Sequence, residues 1–254
     1  MKRPTLFILL LSGMLVVDSA KTNAQLWKQR RIEAIVAVGP SQFFGDIGGF
    51  SPKENILGLR DLSFLQTRIN LNGSLRYRIL SDLSVRLSLT AAMLKATDER
   101  GSNENRNMEA STSLIEPAVI GEFYFIKNKT ENSYLFSKGQ LNKLRSIMNS
   151  LDFYTFTGLG GAIYSVNGND RLNQSGMKDG GFTTVIPIGV GSTIIFSPDI
   201  NLGIEIGGRY SFSDYLEGYA SQYSSSNDVY YFLNFTFIYK LKTKSNGMPD
   251  FIKR

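Results

Sequence analysis

The side chains with most chemistry to offer are eight charged residues set among apolar neighbours: Arg68, Arg76, Arg78, Arg86, Glu116, Glu122, Glu205 and Arg209. Glu116 and Glu122 could form an acid–base pair, the eight groups could line a narrow pore, or the two signs could pair with each other. Carboxylate catalysis needs a substrate cleft, and nothing in the spacing of Glu116 and Glu122 supplies one. The sequence has no histidine and no cysteine. That excludes Ser-His-Asp and Cys-His chemistry, imidazole or thiolate zinc sites, disulfides and a lipid-bearing N-terminal cysteine. Gly158-Leu159-Gly160-Gly161 and Gly189-Val190-Gly191 lack the following helix and Lys-Ser/Thr pair of a phosphate cradle, and read instead as bends or close packing within strands. No cofactor, no metal and no enzymatic activity are expected.

What must hold these charges is a set of long strands. From Thr67 to Leu80, one face carries Thr67, Ile69, Leu71, Gly73, Leu75, Tyr77 and Ile79, and the other Arg68, Asn70, Asn72, Ser74, Arg76 and Arg78. A period of two sustained this long is a strand, and it exceeds the five or six residues (about) of an ordinary globular strand. The pattern recurs from Leu83 to Ala91, Ser113 to Ile126, Ile200 to Phe212 and Val229 to Leu241. Arg31 to Phe44, Phe153 to Val166 and Phe182 to Phe196 are less regular and complete a set of eight strands.

The connections alternate in length. Ser81-Asp82 and Ser197-Pro198-Asp199 are tight turns, whereas 47–61, 97–110, 167–181 and 213–227 are long and rich in Gly, Ser, Asn and charge. Short turns at one end and long loops at the other characterise outer-membrane barrels, with the turns in the periplasm. The connection 127–152 is long where a turn is expected. Alternation alone also fits a soluble, lipocalin-like barrel with its apolar face inward. Aromatics near strand ends on the apolar face (Tyr77, Phe123, Phe125, Tyr210, Tyr231, Phe237 and Tyr239) favour a membrane girdle. The expected fold is an all-β, eight-stranded, antiparallel up-and-down transmembrane barrel. The eight charges then point inward as an ion-pair network, with a narrow pore as the alternative.

Met1-Lys2-Arg3 followed by the apolar stretch 6–17 reads as a signal peptide, cleaved after Ala24. The expected organisation is a signal peptide over 1–24, a barrel over 25–241 and a basic periplasmic tail over 242–254. Within 127–152, residues 137–151 carry Leu141, Leu144, Ile147, Met148 and Leu151 at helical spacing, predicting a short amphipathic helix. The net charge is +6. Much of it gathers at the turn end, where Lys138, Lys143, Arg145, Lys240, Lys242 and Lys244 form a candidate docking face for an acidic periplasmic protein or cell-wall polymer. Outer-membrane lipid is the other expected partner. Nucleic acid is not one for an exported chain.

Three stretches carry a family resemblance. Phe43-Phe44-Gly45-Asp46-Ile47-Gly48-Gly49 resembles the Gly-Asp-Leu stretch closing the first strand of small outer-membrane barrels common in Bacteroidetes. Ile186-Pro187-Ile188-Gly189-Val190-Gly191 and Arg209-Tyr210-Ser211-Phe212-Ser213-Asp214-Tyr215-Leu216 are similar to their sixth and seventh strands. The resemblance is to PorG-like and OmpA- or OmpX-like eight-stranded barrels. It implies an outer-membrane location and, through the PorG branch, a place in type IX secretion linking the membrane to periplasmic components. The 127–152 connection departs from the pattern. A surface barrel acting through its loops in adhesion or ligand capture, and a small-solute channel, stay open as alternatives.

Overall fold

The computed structural model describes residues 30–49, 63–99, 104–127, 151–220 and 227–242. Its strands are β1 (Ile32–Phe44), β2 (Arg68–Arg78), β3 (Leu83–Thr97), β4 (Glu109–Ile126), β5 (Leu151–Gly168), β6 (Gly180–Ile195), β7 (Ile200–Ser211) and β8 (Val229–Leu241). Each pairs antiparallel with its neighbours in sequence, and β8 pairs with β1, so the barrel is closed and has no sheet edge.

Side-chain parity decides which face meets which medium. Val36, Val38, Ile69, Leu71, Leu75, Leu87, Leu89, Ile115, Val119, Ile204, Ile206 and Phe235 stand exposed on the outer wall, while Asn70, Asn72, Arg76, Arg86, Glu116, Glu122, Glu205 and Arg209 are buried inside. A water-soluble barrel would have the opposite polarity, so this is the wall of a transmembrane barrel. The aromatics expected to form a girdle all lie on the outer wall.

Pro40, Pro117 and Pro187 lie inside strands, where a missing N–H must break a ladder. Each falls in a two-residue interruption of a single ladder: β1–β8 at Gly39-Pro40, β4–β5 at Glu116-Pro117, and β5–β6 at Ile186-Pro187. Pairing on the other side of each proline is continuous, through Pro40 with Ile69, Pro117 with Leu89 and Pro187 with Arg209.

The signal peptide, the tail beyond Lys242 and residues 137–150 of the expected helix lie outside the described residues, while Leu151, placed at the end of that helix, is instead the first residue of β5. A helix the sequence reading did not anticipate, α1 (Asp170–Gln174), sits in the third long loop. Asn169 caps it by accepting from the Leu172 amide at 3.0 Å, and Leu172 is fully buried beneath it.

Candidate functional site

The inner face divides into a charged half towards the turns and an apolar half towards the loops. In the charged half, Arg76 and Arg86 face each other directly across the β2–β3 ladder. Like charges so placed repel unless carboxylates intervene, and here they do. Glu122, from β4, meets Arg76 Nε at 2.5 Å and Arg86 Nε at 3.0 Å. Glu33, opposite Arg76 on β1, meets Arg76 Nη1 at 2.9 Å and Arg78 Nη2 at 2.5 Å. Glu205, from β7, meets Arg86 Nη1 at 2.6 Å and accepts the Tyr154 hydroxyl proton at 2.5 Å. Three guanidinium groups thus face three carboxylates, and one further buried residue of each sign, Lys240 opposite Glu33 on β8 and Asp152 on β5, lies at this end. The balance matters, because a buried charge left without its partner is far costlier than a pair.

Aromatic rings complete this layer. Tyr154 and Tyr124 lie beside the Arg76 guanidinium, with ring centroids 5.5 Å and 6.0 Å from its carbon, and Phe156 lies 5.5 Å from that of Arg86. Glycine makes their room: a Cβ at Gly191 would fall inside the Tyr154 ring, and one at Gly189 or Gly207 would strike Phe156. One turn of wall higher, Arg209 approaches Glu116 at 3.5 Å, Tyr230 donates to Glu116 at 2.5 Å, and the Arg209 guanidinium stacks 4.3 Å from the Phe232 ring centroid.

Of the eight charges singled out from sequence, Arg76, Arg78, Arg86, Glu122 and Glu205 lie together in the first cluster, and Glu116 and Arg209 form a second. Arg68 does not join them. It sits eight residues up β2 from Arg76, at the loop-end mouth, and donates to the carbonyls of Leu65 and Thr67 at 3.1 Å and 2.8 Å. Its face is right, but its height puts it above the charged half. The sequence reading missed Glu33, whose inner-face neighbours Ile35 and Ala37 are apolar and disguise the polarity of β1. It also missed Tyr154 and Tyr230, since an aromatic residue in an alternating strand does not declare its face.

The basic turn end needs a correction. Lys240 is 3% exposed and turns into the barrel, opposite Glu33 in the β1–β8 register, so it is not on a docking surface. The inward parity of Asn234 and Thr236, carried forward to Lys240, was the signal for this. Lys242 is exposed at the end of the wall. Lys138, Lys143, Arg145 and Lys244 lie outside the described residues.

The loop end is closed by a knitted lid over an apolar plug. Ile47, Leu172 and Leu216 from the loops pack with Phe43, Leu94, Leu114, Val166, Tyr230 and Phe232 from the wall. Buried carboxylates pin the lid. Glu217 accepts the Asp46 amide at 2.7 Å and the Ile47 amide at 3.0 Å, and Asp228 accepts the Leu216 amide at 2.8 Å. Asp98 accepts the Gly48 amide and an Arg106 N–H, each at 2.9 Å, while Arg106 also donates to the Asp46 carbonyl at 2.7 Å. Gly48 holds a φ of +78°, open to glycine without strain. Burial, reinforced by the Asp228 charge, pushes Glu217 well above the usual carboxylate range. Burial likewise raises Asp228 to about 8, against the opposing hydrogen bond from Leu216, with Asp214 and Asp46 adding to the rise. Among the described residues, no group of three or more acidic side chains is arranged to hold a metal ion.

Solved structures with similar folds include the attachment invasion locus protein Ail of Yersinia pestis, crystallised with the heparin analogue sucrose octasulfate, at 12% identity and a TM-score of 0.40 over 83% of this chain and 98% of that one. The N-terminal β-barrel domain of Pseudomonas aeruginosa OprF has 12% identity and a TM-score of 0.41, covering 83% of this chain and 98% of that one. Neisserial surface protein A has 14% identity and a TM-score of 0.40, covering 82% and 95% respectively. No curated protein matches the sequence. A family model described as a domain of unknown function, DUF6089, matches residues 6–245, and the chain belongs to that family.

Proposed function

We propose that this protein is an outer-membrane barrel of a Gram-negative bacterium with no catalytic activity, serving as a structural and interaction element of the envelope. The observation that carries this reading is the inverted wall, apolar outside, around an interior filled by paired charges, aromatic rings and an apolar plug. Such an interior leaves its charges committed to each other rather than to a substrate. The start of β1, the end of β8 and the short turns then face the periplasm, and the knitted loops face outward.

The finer reading is a PorG-like component of type IX secretion that docks an acidic periplasmic protein or cell-wall polymer through its basic turn end. Its support is the sequence resemblance and the charge of that end, with Arg30, Arg31, Lys127 and Lys242 at the rim and Lys138, Lys143, Arg145 and Lys244 in the adjoining segments. Crosslinking in intact cells, followed by pull-down at low and high salt, tests it. Docking through charge predicts a periplasmic partner lost as salt rises; capture that ignores salt, or no periplasmic partner, counts against it.

A second reading, adhesion or ligand capture by the loops, is favoured by the order of the lid, since a pre-organised surface binds at lower entropic cost. Truncating the loop tips would abolish function under this reading and spare it under the first. A conducting channel draws least support, because the plug occupies the loop end of the interior; steady conductance in planar bilayers would revive it.

A further inference from the structure

The turn at 63–67, just before β2, is built with two unlike sides. Its polar side is fastened to the barrel. Gln42 donates through Nε2 to the Ser63 carbonyl at 3.1 Å and also to Thr67 Oγ1. Ser63 and Gln66 are buried, and Gln66 Nε2 donates to the Thr97 carbonyl at 3.1 Å. The turn closes on itself through the Gln66 and Thr67 amides, which donate to the Ser63 carbonyl at 3.2 Å and 3.1 Å. Its other side carries Phe64 and Leu65, which are 99% and 59% exposed.

The position of Gln42 fixes where this apolar side looks. On β1 the inner face is Ile35, Ala37, Ser41 and Phe43, so Gln42 belongs to the outer wall with Val36 and Val38. The turn therefore straddles the rim, its Gln66 tied to Thr97 on the lid side and its Ser63 and Thr67 bonded to Gln42 on the flank. Immediately below it on β2 are Ile69 and Leu71, both on the lipid-facing wall. On the same flank, Phe44 meets Tyr231 edge-on at 5.1 Å, part of the aromatic belt. Beside the turn, Arg68 donates to the Leu65 and Thr67 carbonyls, which holds the backbone of the exposed pair in place.

We propose that the 63–67 turn is a membrane anchor that sinks Phe64 and Leu65 into the boundary between headgroups and acyl chains of the outer leaflet. This extends the apolar wall one step above the strands on the β1–β2 side and fixes the depth of that side of the barrel. Phe and Leu suit this boundary, where apolar side chains are buried at the edge of the acyl region. The occupant is lipid rather than protein because the exposed pair is continuous with the lipid-facing wall.

This inference rests on the outer-membrane reading, and the experiment separates the two. Trp27 is the sequence's one tryptophan. In a Trp27→Phe background, Phe64→Trp and, separately, Leu71→Trp are introduced, and each protein is reconstituted into phosphatidylcholine vesicles with brominated acyl chains. Bromine near the carbonyl end of the chain should quench the tryptophan at 64 strongly, and bromine near the methyl end weakly, with blue-shifted emission. The tryptophan at 71 should be quenched as a reporter of the wall itself. Quenching at 71 without quenching at 64 overturns the anchor and leaves the barrel in the membrane. Absence of quenching at both positions overturns the anchor together with the membrane reading beneath it.

Discussion

At the scale of single residues, Arg76 bears the greatest electrostatic weight. Its guanidinium touches Glu33 and Glu122 and lies beside the packed pair of Tyr124 and Tyr154 rings. Removing it in Arg76→Ala leaves those carboxylates buried and short of a cation, which costs about 3–5 kcal/mol. Denaturant unfolding in detergent should report that loss. Arg68→Ala, which gives up hydrogen bonds to exposed carbonyls at the mouth, should change stability by no more than about 0.5 kcal/mol. Equal losses for the two substitutions would mean that the charged layer is not what holds this half of the barrel together. The lid carboxylates make a residue-scale prediction of the opposite sense to most acidic groups. Glu217 and Asp228 are raised in the folded lid, so the unfolded lid gives up its protons first as pH increases. Lid stability is therefore greatest at and below the ordinary aspartate value of 3.8 and declines as pH rises towards about 8. Hydrogen exchange at the amides of Asp46, Ile47 and Leu216, corrected for intrinsic rate, should show less protection at about pH 9 than at about pH 6, and Glu217→Gln should flatten the change. Protection that rises with pH contradicts the assignment.

At the scale of elements, glycines mark where strands pass too close for a side chain. A Cβ on Gly39, beside the Pro40 interruption, would collide with the Leu233 carbonyl of β8, which is backbone and cannot swing aside. Gly39→Ala is expected to cost about 1–3 kcal/mol, the range for overpacking. Gly73 on the outer wall of β2 faces open space, so Gly73→Ala should be neutral within about 0.5 kcal/mol. If the two substitutions behave alike, the close approach at Gly39 is not a constraint on the wall. The strands themselves were legible in the sequence because a period of two over a dozen residues has no other cause. Thr67 to Leu80 and Val229 to Leu241 were read almost to their ends. β3 and β4 run further, to Thr97 and from Glu109, because their loop-end inner residues Ala92, Leu94, Ala96 and Ala110 are apolar while outer positions there, Lys95, Glu109, Ser111 and Ser113, are polar, which reverses the alternation seen lower in the wall. The same reversal concealed the plug. Which carboxylate meets which arginine depends on register across strands distant in sequence, and Glu33 with Arg76 is legible only once β1 is laid against β2. The lid was not legible at all, because its bonds join loop residues such as Asp46 and Glu217 that share no periodicity.

At the scale of the whole molecule, parity, closure and interior filling depend on one another. The outer wall is apolar and faces lipid, the interior holds paired charges towards the turns and an apolar plug towards the loops, and in eight strands it is just wide enough for side chains to fill it. Charge balance within that interior lets it stay closed. The turn end and the loop end are then the surfaces left for partners, and neither needs catalysis to act. Planar-bilayer recording should find no steady conductance, and an open, voltage-stable pore would show that the plug does not seal the barrel. The most direct test of the central claim, a closed barrel held in the outer membrane, is heat-modifiability of the protein from fractionated envelopes. A folded barrel resists SDS until boiled, so the protein should fractionate with the outer membrane and migrate differently before and after heating. A protein found in the soluble periplasm, with the same mobility boiled or not, would contradict the account.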